Sequence, residues 1–214
     1  MLRNPNDIAF AVMFLLVATI GADLYALYAD YELLVAARDH AGDASWLEFA
    51  VANMTAAGGI QLLALLSTGV TFLVWFRRCR ANAEVWAGDL QRRSPGWALG
   101  GWFIPVGNLW IPRGIAVDIW RASRRDPSSA DRPFEFLLLN VWWTFFLVDT
   151  TMSQLVANDI RVADTSAQWA SVAKSLLISD GLDVVAAVLA ILFVRRLTAM
   201  QNAKATGVMV PAAQ

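Results

Sequence analysis

A single cysteine, Cys79, and a single histidine, His40, occur in the 214 residues of this chain. One thiol cannot make an intramolecular disulfide, and together the two residues cannot supply a zinc finger, a haem-attachment motif or a bis-histidine haem site. Charge is scarce as well. Only 16% of the residues are Asp, Glu, Lys or Arg, whereas 57% are hydrophobic. Soluble domains carry about 25% charged and about 45–50% apolar residues, so the excess points to lipid and leaves no room for a separate soluble catalytic domain. The chain contains no Gly-x-Ser-x-Gly elbow, no phosphate loop and no Glu-x-x-His pair for a di-iron bundle. No catalytic residue is therefore named and an enzyme is not expected. Nucleic acid is not an expected partner either, because no recognised module accompanies the arginines.

Long apolar runs are present instead. Four segments, 8–29, 51–76, 134–157 and 172–194, each cross a hydrocarbon layer of about 30 Å at about 1.5 Å per residue. Arg77, Arg78 and Arg80 stop the second, and Arg195 and Arg196 stop the fourth. Two capping boxes, Ser45 with Glu48 and Thr165 with Gln168, are expected at the starts of the second and fourth helices. Asp131 and Pro133 are expected to start the third. Arg3 is the lone early cation and Asp7 follows it, so the first segment reads as a retained span rather than a cleaved signal.

Lys and Arg set the orientation, because basic loops resist translocation. If both termini and the loop between the second and third spans are cytoplasmic, fourteen of the 17 basic residues lie inside, leaving Arg38, Arg161 and Lys174 outside. The expected fold is an all-α integral membrane protein with four transmembrane helices in one domain, residues 1–203, followed by a flexible cytoplasmic tail, 204–214.

Within the cytoplasmic loop, residues 94–112 carry no charge, yet arginines flank both ends. A fifth crossing would put one arginine group on the wrong side. A re-entrant or interfacial Trp-rich helical hairpin over 94–123 is expected instead, with a turn at Pro105 to Asn108. Trp97, Trp102, Asn108, Trp110, Arg113, Trp120 and Arg121 are its candidate lipid- or partner-binding residues, since amphipathic rings and arginines suit anionic headgroups at the inner leaflet.

The motifs Ser94-Pro-Gly-Trp97, Gly101-Trp-Phe-Ile-Pro105, Asn108-Leu-Trp110, Pro112, Asp118-Ile-Trp-Arg-Ala-Ser123, Trp142-Trp143 and Val194-Arg-Arg-Leu-Thr198 resemble a bacterial membrane family catalogued as domain of unknown function 4328. The resemblance covers about 61–201. It implies four spans in a bacterial cytoplasmic membrane and no established activity, so it transfers no catalytic residue. Where the resemblance implies a tyrosine or similar residue after Pro112, this chain has Arg113.

Acids inside the spans are functional candidates, because a charge in hydrocarbon is costly. Asp23, Asp149, Asp180 and Asp183 all fall about 9–17 Å below the outer surface by helical rise, and Gln61 lies near the same level. Asp180 and Asp183, three residues apart, share a helix face. No intramembrane Lys or Arg balances them. Protonation, hydrogen bonds to Thr150, Thr151 or Ser179, a bound cation, or a water-filled vestibule must do so, and an oxygen-only set suits Na⁺, Ca²⁺ or Mg²⁺. No cofactor is expected beyond such a cation or a lipid. Two readings stay open. One is an interaction, assembly or accessory subunit that contacts the bilayer and either a second copy or another membrane protein. The other is a proton- or cation-handling protein.

Overall fold

The computed structural model describes residues 2–39 and 44–207. Among them there is no strand: the elements are α1 (Asn6–Asp39), α2 (Ala44–Ala87), a 3₁₀ turn (Gly88–Leu90), α3 (Trp97–Gly100), a second 3₁₀ turn (Gly107–Leu109), α4 (Ile111–Ala122), α5 (Leu137–Val162) and α6 (Ser166–Thr206). Three helices, α1, α2 and α6, are long and apolar enough to cross a membrane. Only 28%, 22% and 33% of their most apolar windows are buried inside the protein. Apolar surface left uncovered on that scale calls for lipid rather than water. At 26 residues α5 has the length, but Asn140, Asp149, Thr150, Thr151, Ser153 and Gln154 dilute its hydropathy.

The helices outlast the apolar runs that announce them. α1 continues ten residues past Ala29, and α2 eleven past Phe76, through segments rich in Ala, Leu, Glu and Arg. Those residues favour helix whatever the solvent. Thr165 and Gln168 form the expected reciprocal box: the Gln168 N–H donates to Thr165 Oγ1 at 3.3 Å and the Thr165 N–H to Gln168 Oε1 at 2.9 Å. Two starts differ from expectation. α2 begins at Ala44, so Ser45 already lies inside its first turn. α5 begins at Leu137 rather than Phe134, because Phe134 holds a left-handed φ of 59° and Asp131 is engaged by arginines instead of capping. The tail expected from 204 is helical to Thr206; 208–214 lie outside the described residues, as do 1 and 40–43, which include His40.

The chain divides into two compact units. The first (Met1–Phe14, Gly69–Trp143, Leu189–Gln214) is built on aromatic rings. Phe193, fully buried, stacks on Trp142 with 4.8 Å between centroids and meets Trp75 edge-on at 5.9 Å. The Trp102 ring packs edge-on against Phe72, Phe76 and Trp143. Three indole N–H groups find acceptors: Trp75 on Thr198 Oγ1, Trp120 on Glu135 Oε1 and Trp143 on the Leu109 carbonyl. Gly101 and Gly107 let the 94–110 segment fold tightly onto α4, since a Cβ at either would lie 2.6 or 2.7 Å from the Ile111 side chain.

Gln201 ties this unit together. It is 1% exposed, accepts from Asn82 Nδ2 at 2.9 Å, and donates to the Cys79 carbonyl at 3.1 Å and to Ser123 Oγ at 3.3 Å. Asn82 in turn exchanges two bonds with the Arg3 backbone. Replacing Gln201 by Ala strands three buried polar groups, two on α2 and one at the end of α4, and should cost about 2–3 kcal/mol, measurable by thermal unfolding in detergent. A loss within error of zero would show that water replaces the carboxamide.

The second unit (Leu15–Thr68, Thr144–Val188) is built on small residues. Ala26, Ala29 and Ala57 form one cluster, and Leu33, Ala36, Ala50, Met54 and Ala173 another. Small side chains allow close helix approach in lipid, where packing rather than the hydrophobic effect holds helices together.

Candidate functional site

Five aspartates and one glutamine converge in the second unit. α1 contributes Asp23 and Asp30, seven residues and two turns apart on one face, each 2% exposed. α6 contributes Asp180, 4% exposed, and the half-buried Asp183; α5 contributes Asp149 and α2 Gln61, both half-buried. Gln61 Nε2 donates to Asp23 Oδ1 and to Asp180 Oδ1, each at 3.1 Å. The two acceptors therefore lie no more than about 6 Å apart. A carboxamide nitrogen carries two hydrogens, one for each bond. The Asp30 and Asp180 carboxyls are close neighbours, as are those of Asp149 and Asp183. One oxygen on each of Asp23, Asp30, Asp149 and Asp180 is buried without a hydrogen-bond partner.

The four acids expected at one depth and Gln61 thus come together, and Asp30 joins them. Reading the first span as ending at Ala29 consigned Asp30 to the outer loop. Its seven-residue spacing from Asp23 was the available signal. Thr150 and Thr151 do not serve the carboxyls, because their hydroxyls bond back to the Phe146 and Leu147 carbonyls. Ser179 faces Ser153 Oγ at 3.4 Å. Among the described residues no Lys or Arg forms an ion pair with any of the five acids, and no three His, Cys, Asp or Glu side chains are grouped to hold a metal ion.

The loop residues belong to the first unit. Trp97 and Trp110 are exposed, at 38% and 53%, whereas Trp120 is 4% exposed and stacks on Phe193. Asn108 is half-buried. Arg113 donates to Asn140 Oδ1 through two nitrogens, at 3.1 and 2.6 Å. Arg121 and Arg124 grip Asp131 at 2.5 and 2.6 Å, and Arg124 also holds Glu135 at 2.6 Å. The hydrogen bonds from Arg121 and Arg124 keep the Asp131 carboxyl well below the usual carboxylate range. What this clamp contributes is present above the unfolded Asp pKa and is lost as pH falls through the lower folded value.

Helices able to cross a membrane, joined by an arginine-clamped loop and enclosing a carboxyl cluster, define a membrane-compatible all-helical protein. The chain belongs to the family described as Domain of unknown function (DUF4328), whose match covers residues 38–199. Every motif from Ser94 to Thr198 falls within that match, which starts earlier than the resemblance did and leaves nearly all of α1 outside. No curated protein and no solved structure matches the chain.

Proposed function

We propose that this is a four-span membrane protein that binds and releases protons at the cluster of Asp23, Asp30, Asp149, Asp180 and Asp183. The observation that carries the reading is the Gln61 carboxamide held between Asp23 and Asp180 in a buried site that has no basic partner among the described residues. Carboxyls in contact cannot all ionise without a cation or a shared proton. Neighbouring carboxyls such as Asp30 with Asp180 are the arrangement in which two acids share one proton. Through its two bonds the Gln61 amide links Asp23 to the Asp30–Asp180 pair, a short chain of groups able to take up and release protons. Infrared difference spectra of the reconstituted protein test this. A carboxylic-acid carbonyl band that changes with pH and shifts in Asp30→Asn is expected; bands of ionised carboxylates alone across the physiological range overturn it.

The fourth crossing in this reading is α5, supported by its length and by the fourteen-to-three basic bias, with both termini cytoplasmic. Single cysteines in a Cys79→Ala background check the topology. Position 163 should label from outside intact cells and position 127 should not; the reverse pattern inverts the protein.

A second reading, an accessory subunit whose loop meets lipid or a partner, is favoured by Phe103, Val106, Leu109 and Trp110, 74%, 64%, 50% and 53% exposed on consecutive turns. Affinity purification in mild detergent distinguishes it: a stoichiometric membrane-protein partner lost on Phe103→Ser supports this reading, and a homogeneous chain without one removes it.

A further inference from the structure

We propose that the groove between α1 and α2 in the second unit binds one lipid, its acyl chain along the apolar floor and an amine-bearing headgroup against the Glu32 carboxylate. The floor is formed by Leu15, Ala18, Gly21 and Ala22 of α1 facing Leu63 and Ala64 of α2, and borders an open groove of about 490 Å³. No atom within 4 Å would meet a Cβ added at Gly21, so the floor is open where a chain would lie. From Leu15 to Tyr25 the groove runs about 15 Å at the helical rise, half of the roughly 30 Å hydrocarbon layer and so the depth of one leaflet.

Tyr25 ends the apolar floor and begins a polar one. Its hydroxyl donates to Asn53 Oδ1 at 2.7 Å, and Asn53 Nδ2 donates to Glu32 Oε2 at 3.0 Å. Tyr28 donates its hydroxyl hydrogen to Glu32 Oε1. Tyr25, Tyr28 and Tyr31, at 38%, 56% and 59% exposure, mark the headgroup level on α1, where such rings settle. Glu32 is thus oriented by two donors at the mouth of an apolar groove, and among the described residues no Lys or Arg pairs with it.

A carboxylate so placed selects a cationic head attached to an alkyl chain. A water-soluble amine would leave the floor empty. A lipid whose head carries only negative charge would bring that charge to the carboxylate, whereas the primary ammonium of a phosphatidylethanolamine-type head carries both the positive charge and the N–H donors that a carboxylate accepts. Unlike the proton reading, this site uses none of the five aspartates.

The test is retention of lipid by the full chain purified from bilayers of equal phosphatidylethanolamine and phosphatidylglycerol, quantified by mass spectrometry. Wild type should retain the amine lipid in excess by about two- to fivefold, the worth of one exposed ion pair. Glu32→Gln should keep the amount of lipid but lose the preference. Ala64→Phe and Gly21→Leu should each lose retained lipid. Equal retention of the two lipids by wild type, or a preference that survives Glu32→Gln, overturns the proposal. So does a dimer dissociated by Gly21→Leu, which would assign the groove to a second copy. Should one groove-filling variant fail to fold, the other and Glu32→Gln still decide.

Discussion

Asp180→Asn is expected to reduce proton flux through the reconstituted protein by at least about tenfold, the scale of losing one residue of a required proton-transfer pair. Asp180 is where the chain of contacts branches: it accepts from Gln61 at 3.1 Å and meets the Asp30 carboxyl. Asparagine preserves its shape and can accept from Gln61, but it cannot gain or lose a proton, so the link to Asp30 becomes a fixed hydrogen bond. Helical content and membrane insertion should be unchanged. Asp180→Glu restores an ionisable group at the cost of one extra methylene and should recover part of the flux. The measurement is quenching of a pH dye trapped in liposomes under an imposed potential, with Leu65→Ala, a change at a 60% exposed side chain outside the groove and the carboxyl cluster, as control. Equal flux in wild type, Asp180→Asn and protein-free liposomes would leave the aspartates a purely structural role and remove the proton reading.

That Asp180, Asp183, Asp149, Asp23 and Gln61 could be named from the chain alone follows from a property of hydrocarbon. Charge is so rare there that depth along an apolar run locates a candidate without knowledge of packing. Depth does not say which partner a side chain faces. Asp180 and Asp183, read as one face of a helix, part company, the first to Asp30 and Gln61 and the second to Asp149. Asp30 escaped because hydropathy reports a change of solvent, whereas α1 stays helical through Asp39 on the propensity of its Ala, Leu, Glu and Arg residues. The tryptophans show a related limit. An indole at the end of a span suits both a headgroup belt and an aromatic core, and composition does not distinguish the two. Trp110 is exposed while Trp120 is buried, although both lie in the same loop between the second and third apolar runs. The Thr165–Gln168 box was legible because its bonds are local, whereas the delayed start of α5 depends on Arg121 and Arg124 reaching Asp131 across a turn.

Phe193→Ala should be the most destabilising single substitution considered, by about 3–5 kcal/mol, within the range for truncating a buried aromatic ring. Phe193 is fully buried, lies parallel to Trp142 and to Trp120 within 11°, and meets Trp75 edge-on at 87°. Its removal therefore withdraws contacts from rings on α2, α4 and α5 together. Where a segment unfolds into lipid rather than water, the transfer part of this cost shrinks, but the cavity part remains because three indoles cannot close over the void without leaving their stacked geometry. The two parts separate experimentally. Phe193→Leu refills much of the volume without the ring faces and should recover about half of the loss, the rest being the aromatic geometry, worth about 0.5–1.5 kcal/mol per pair. Phe103→Ala, at a side chain 74% exposed, should stay within about 0.5 kcal/mol of wild type. Thermal unfolding followed by tryptophan fluorescence in one detergent gives all three values. If Phe193→Ala and Phe103→Ala proved equally mild, the aromatic cluster would not be the core of the first unit, and the hydrogen-bonded hub at Gln201 would have to hold it together.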